Sequence, residues 1–191
     1  MSQEEFSGLN REEQLKHVQS ASVDERNEIM RAYDWEQYPE AVLGWISAQK
    51  GITLNTALLA FFKGDPWRFN YLPKRDVGAE FRSTASLLDS ICQRINAGFY
   101  LPGADQPCEI GLRKLDKWVE NQRRDQRTHR RGRWVIEAEV LDPILTCKRR
   151  AMENELRREA EAEVAEATPA APIESRSRGF SLKKLAGALT G

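Results

Sequence analysis

The strongest apolar pattern in the chain is Leu54, Ala57, Leu58, Phe61 and Phe62. These positions fall at i, i+3, i+4, i+7 and i+8, the full inner stripe of a core helix. Thr53 supplies its cap and Gly64 its stop. Weaker versions of the same period flank it. A helix is expected over Arg11–Ser20, with Asn10 as N-cap and Leu15 and Val18 turned inward. Ser22-Val23-Asp24-Glu25 reads as a capping box opening a helix to about Tyr33 that buries Val23, Met30 and Ile29. Pro39 suits the first position of the next helix, with Val42, Trp45 and Ile46 inside and Gly51 at its end. A long helix from about Val77 to Ala97 lines up Phe81, Ala85, Leu88, Cys92 and Ile95, and Gly98 closes it. Ile110, Leu115, Trp118 and Val119 form the inner face of another.

Three stretches resist this period. Asp65 to Asp76 is rich in aromatics and carries Pro66 and Pro73, so it reads as a loop; residues 101–109 read as a turn-rich link. Trp134, Ile136, Ala138 and Val140 alternate as a strand would, whereas Trp134, Ala138, Leu141 and Leu145 fit a helix. Asp142-Pro143 is a helix-start signal, and a final helix is expected from 143 to about 166, its apolar stripe fading after Leu156. Residues 167–178 have linker composition, and residues 179–191 form a short amphipathic tail with Phe180, Leu182, Leu185 and Leu189 on one side. The expected fold is all-α: a compact multi-helix bundle over residues 1–166 with a long C-terminal helix, then a disordered linker and the tail.

Composition narrows the class. With 191 residues, 40% hydrophobic and 30% charged, the chain is large enough for one domain with appendages. No apolar run approaches the roughly 18 residues that span a bilayer, so no membrane span is expected. The acidic start, Met1 to Phe6, has no apolar core, so no secretory signal is expected and a cytoplasmic location follows. Three widely spaced cysteines, Cys92, Cys108 and Cys147, argue against a disulfide framework or zinc module.

The formal net charge is zero, yet the charge is blocked: residues 1–100 carry −3, 113–150 carry +6, 151–166 carry −4 and 167–191 carry +3. Such blocks create local fields that the sum conceals. The basic peak is residues 123–133, which hold Arg123, Arg124, Arg127, Arg130, Arg131 and Arg133 with His129 and one aspartate. Guanidinium forks suit phosphate oxygens, and Trp134 beside them can stack on a base. The plainer alternative is a solvated face, or one neutralised by Glu153, Glu155, Glu159, Glu161, Glu163 and Glu166.

Catalytic signatures are absent. There is no glycine-rich nucleotide cradle, and His17 and His129 have no partner at metal-ligand spacing. Ser47-Ala48-Gln49-Lys50 matches S-x-x-K without its companion motifs. Cys92 is expected as a small buried hydrophobe, and Cys108 as a link residue with Arg113 and Lys114 near it in sequence. One acidic–aromatic set stands out: Asp34 and Trp35 follow the second helix, and Asp65 and Trp67 open the loop after the fourth. The favoured reading is capping by Asp34 or Glu36, a Gly-Asp-Pro turn at Asp65 and loop packing; the sharper alternatives are that these four rim a common groove or, as paired carboxylates, do acid–base work.

Tyr33-Asp34-Trp35-Glu36, the run Ile52 to Phe62 and Ile95-Asn96-Ala97-Gly98-Phe99-Tyr100 together resemble bacterial domain-of-unknown-function family 4274. The resemblance covers roughly residues 28–125. It implies a small helical bacterial domain without assigned activity, and supplies no catalytic residue. The chain departs from the family pattern where a Cys-Asp pair usually precedes the Thr-Ala-Leu helix, and the arginine run and tail lie outside it.

These features lead to a non-enzymatic protein–protein interaction module, an adaptor or immunity-type partner with a C-terminal docking peptide. No cofactor is expected. The alternative is a nucleic-acid-associated protein using segment 123–133.

Overall fold

The computed structural model describes residues 2–103 and 108–167. Among these the fold is all-α. Nine helices run in order: α1 Gln3–Ser7, α2 Arg11–Ser20, α3 Val23–Ala32, α4 Pro39–Ile46, α5 Leu54–Lys63, α6 Pro66–Phe69, α7 Arg82–Asn96, α8 Leu112–Arg127 and α9 Ala138–Ala167. The only pairing of extended backbone among the described residues is an isolated parallel bridge between Thr53 and Leu101. No helix among them is long and apolar enough to cross a membrane.

Residues 2–153 form one unit and the segment from Asn154 a second. In the second, the end of α9 exposes every side chain described, Leu156 included, and Arg157 pairs with Glu161 one turn on. The tail residues Phe180, Leu182, Leu185 and Leu189 lie outside the described residues.

The first unit is organised around α5. Its Ala57, Leu58, Phe61 and Phe62 are fully or almost fully buried, and Thr53 Oγ1 accepts the Thr56 amide as the cap. Trp118 of α8 is 1% exposed and meets Phe61, Phe62 and Trp67 edge to face, with centroids 5.7, 5.4 and 4.9 Å away. Trp134 closes on the other side of Phe61 at 5.9 Å. T-shaped contacts place the positive edge of one ring on the negative face of the next, which adds to the burial of area.

Several local expectations change. The loop at 65–76 contains α6 and a 3-10 turn at Lys74–Asp76, and a second 3-10 turn at Ala79–Phe81 delays the long helix to Arg82. The Ser22 box is half made: Ser22 Oγ accepts the Glu25 amide, but the Glu25 carboxylate turns to His17 instead. Val23 is 44% exposed rather than buried, its methyls lying over the Gly51 backbone. The helix signal at Asp142-Pro143 lies inside α9, which starts at Ala138. The Pro143 ring removes only the donor to the Glu139 carbonyl, on an exposed side of the first turns.

The ambiguous stretch resolves as both patterns in succession. Residues 134–137 are extended, with Trp134 and Ile136 buried and Glu137 out, before α9 begins. This strap has no neighbouring strand among the described residues, and side chains take its backbone groups. Asn70 Oδ1 accepts the Trp134 amide at 3.0 Å, and Gln122 accepts from Ile136 N and donates to Ile136 O, both at 2.9 Å. Asn96 donates to Val135 O at 2.7 Å and accepts from Glu137 N at 3.0 Å. Gly132 is required for the approach, because a Cβ there would meet the Asn70 amide at 2.6 Å.

Asn70→Ala should therefore cost about 1–3 kcal/mol, the desolvation penalty of a buried amide left without its acceptor. Gln126→Ala, at an exposed position of α8, should cost almost nothing. Urea denaturation of the two variants gives the comparison; equal stability would mean the strap is not anchored through Asn70.

Candidate functional site

The acidic–aromatic set is only partly brought together. Asp34 is exposed, its Oδ1 accepts the Glu36 amide at 2.9 Å, and its charge faces Lys63, whose ammonium donates to Arg31 O at 2.9 Å. The Trp35 ring packs against Gly64, where a Cβ would meet it at 2.6 Å. The loop after α3 thus touches the residue before Asp65. Asp65 itself is exposed in a left-handed conformation, φ 51°, that starts α6. Trp67 turns the other way, onto Phe62 and Trp118. The indole nitrogens of Trp35 and Trp67 are buried without a hydrogen-bond partner among the described residues. Both rings are packing elements, and of the four only Asp34 lines a cavity in the N-terminal part of the unit.

That cavity, of about 510 Å³, lies among α1, α2 and α3. No pattern in the sequence announces it. Phe6, Ile29, Ala32 and Tyr33 make its apolar lining, and Asp24, Glu25, Glu28 and Asp34 its acidic rim. α1 is drawn in by Gln3, which donates to Ala32 O, and by Gln37, which donates to Ser7 O. The Phe6 ring stands on edge to His17 and Tyr33 at 5.5 and 6.3 Å. His17 Nε2 lies 2.9 Å from Glu25 Oε1, so this histidine is partly enclosed rather than simply solvated. Tyr33 donates to Gln14 Oε1 at 2.8 Å, and burial pushes its phenol up to about 12. The signal available in the sequence was Phe6, an aromatic in an otherwise polar N-terminal segment.

The arginine run divides. Arg133 is structural: Nε and Nη2 grip Asp89 Oδ1 and Oδ2 at 2.8 and 2.7 Å, and Trp134 Nε1 donates to the same carboxylate at 2.9 Å. Trp134 is therefore a core residue and not available to stack on a base. Arg130 lies over the Tyr71 ring at 3.8 Å, and Tyr71 donates to the buried Asp125 at 2.9 Å. Burial and that carboxylate raise the Tyr71 phenol, while Arg124 and Arg130 oppose them. Arg123, Arg124, Arg127 and Arg131 are exposed and make no ion pair among the described residues.

The remaining candidates are structural. Ser47 Oγ donates to Gly44 O and accepts from Arg94, which accounts for it without S-x-x-K chemistry. The Cys92 thiol is pushed up to about 12 by burial, then by Asp89 and Glu137. Cys108 is buried rather than an open link residue, and burial raises its thiol as well. No group of three or more His, Cys, Asp or Glu among the described residues is placed to hold a metal. In comparisons with models of known families, with characterised proteins and with solved structures, the chain matches none.

Thiol order gives a direct check of this packing. Because the thiolate is the nucleophile, an alkylating agent at mildly alkaline pH should label exposed Cys147 first. Cys92 and Cys108 should react only on unfolding, as read by intact mass. Early labelling of Cys92 would contradict the packed α7–strap interface.

Proposed function

We propose that the chain is a non-enzymatic protein-interaction module whose receptor surface is the cleft among α1, α2 and α3. The observation that carries this reading is the joining of an apolar lining with a one-signed rim. Phe6, Ile29, Ala32 and Tyr33 offer area to bury, and Asp24, Glu25, Glu28 and Asp34 surround it, with no lysine or arginine among the lining residues. A partner segment carrying an apolar side chain next to lysine or arginine complements both features. The kinship with family 4274, through Tyr33–Glu36, residues 52–62 and Ile95–Tyr100, belongs to the same proposal, as do an adaptor or immunity-type role and a place in a bacterial cytoplasm.

A randomised peptide library panned on the purified full chain is the test. It should enrich basic–apolar sequences, and Asp24→Lys with Glu28→Lys should abolish their binding while leaving helix content unchanged. Enrichment that is indifferent to charge, or that survives the double reversal, would overturn the cleft as receptor.

The C-terminal segment is proposed as a second contact on sequence grounds. Phe180, Leu182, Leu185 and Leu189 are too few to form a core, and an isolated helix of this length is marginal in water. Deleting residues 168–191 should leave the melting temperature within a few degrees. Leu182→Asp with Leu185→Asp should remove a binding partner held by the unaltered chain. A deletion that unfolds the protein would instead make this segment part of the core.

A further inference from the structure

We infer that the end of α8 and the turn after it, Arg123 to Arg131, bind single-stranded nucleic acid. Five arginines stand in these nine residues, with no lysine. The turn is built to gather them. His129 takes φ 52°, the Arg130 amide donates back to Asp125 O at 2.9 Å, and Thr128 Oγ1 donates to Arg124 O at 3.0 Å. The chain therefore doubles back, and Arg130 and Arg131 return to the helix end that carries Arg123, Arg124 and Arg127. Arg123 and Arg127, four apart in α8, share one face.

None of these five arginines makes an ion pair among the described residues. Asp125, inside the cluster, is buried and accepts from Tyr71. A helix C-terminus accounts for cations in its last turn, which are Arg124 and Arg127, but not for three more around them. Like charges held together without a direct ion pair repel one another, and a polyanion relieves that repulsion. Arginine in place of lysine suits bidentate contact with phosphate.

A second feature selects an unpaired strand over an acidic peptide. Beside the arginines lies a cavity of about 390 Å³, whose lining includes Gln126, His129, Arg130 and Arg131 and also the carboxylates of Asp125 and Glu137. Gln126 and His129 are exposed, and offer an amide and an imidazole to the edge and face of a base. A base reaches such a pocket only when it is not held in a duplex.

The probe is a fluorescent oligo-uridine, with the matching duplex, a poly-glutamate peptide and anionic phospholipid vesicles as comparisons. Fluorescence anisotropy of the full chain should show binding to the single strand at low salt, with log Kobs falling linearly against log salt. Arg130→Gln with Arg131→Gln should reduce that slope by about 0.7 per lost phosphate contact. Arg11→Gln, in the first turn of α2, should not change it. Gln126→Ala with His129→Ala should weaken single-strand binding several-fold at an unchanged slope. Circular dichroism confirms that the variants, all at exposed positions, keep their fold. No binding at low salt, a slope unmoved by the arginine pair, or equal binding of poly-glutamate or vesicles would each overturn the inference.

Discussion

An extended segment inside a helical protein has a hydrogen-bonding requirement that its neighbours cannot meet through their own backbones. The strap at 134–137 sets this problem, because each buried amide or carbonyl left unpaired costs about 1–3 kcal/mol. The solution is three amide side chains on three different elements. Asn70 follows α6, Asn96 ends α7 and Gln122 lies on α8, and each holds a different part of the strap. Asp89 adds the fourth anchor through Arg133 and Trp134. The strap thereby ties α6, α7 and α8 to one another, and its Trp134 completes the aromatic cluster on Phe61. The start of α9 at Ala138 directly follows the strap.

The same device recurs at the other end of the unit. Asn27 is 3% exposed, donates to the carbonyls of Val23 and Gly51, and accepts the Thr53 amide. It thus joins α3 to the turn that caps α5. Gln14, also buried, donates to Leu9 O and Gln37 Oε1 and accepts the Tyr33 hydroxyl, which fixes α2 against the segment after α3. Primary amides suit this work because one group both donates and accepts. The core is apolar, but the connections between helices are set by these buried amides.

This division explains what could be read from the chain. α5 and its Thr53 cap follow directly from a five-position stripe between a capping residue and a glycine, because local propensity and tertiary burial agree there. Asn10 at the start of α2 follows for the same reason. The alternation at 134–136 reports a real extended segment, but a two-residue period says nothing of its partner, and here the partners are side chains 14 to 64 residues away. A single isolated Asn or Gln carries no period, so the amide anchors were invisible. Trp35 and Trp67 illustrate the complementary failure: aromatic residues beside carboxylates resemble a binding rim, whereas their burial depends on Gly64 and Trp118. The cleft among α1–α3 needed the position of a five-residue helix that no periodicity marks.

Zero net charge has a specific meaning in this unit. One surface presents Asp24, Glu25, Glu28 and Asp34 around an apolar cleft, and another presents five arginines at a helix end. Their fields cancel at long range, so encounter with a charged partner is not steered from afar. Within a screening length of about 8 Å at physiological salt each surface still acts alone. Repulsion then does part of the selection: a polyanion is turned away from the cleft, and a basic segment from the arginine end. The same arrangement makes each surface attractive to the opposite surface of a second copy. That attraction involves solvent-exposed charges, so it weakens with salt, whereas burial of an apolar side chain against Phe6 and Tyr33 does not. A partner of the kind proposed for the cleft would therefore be set apart from a neighbouring copy by its apolar anchor rather than by its charge.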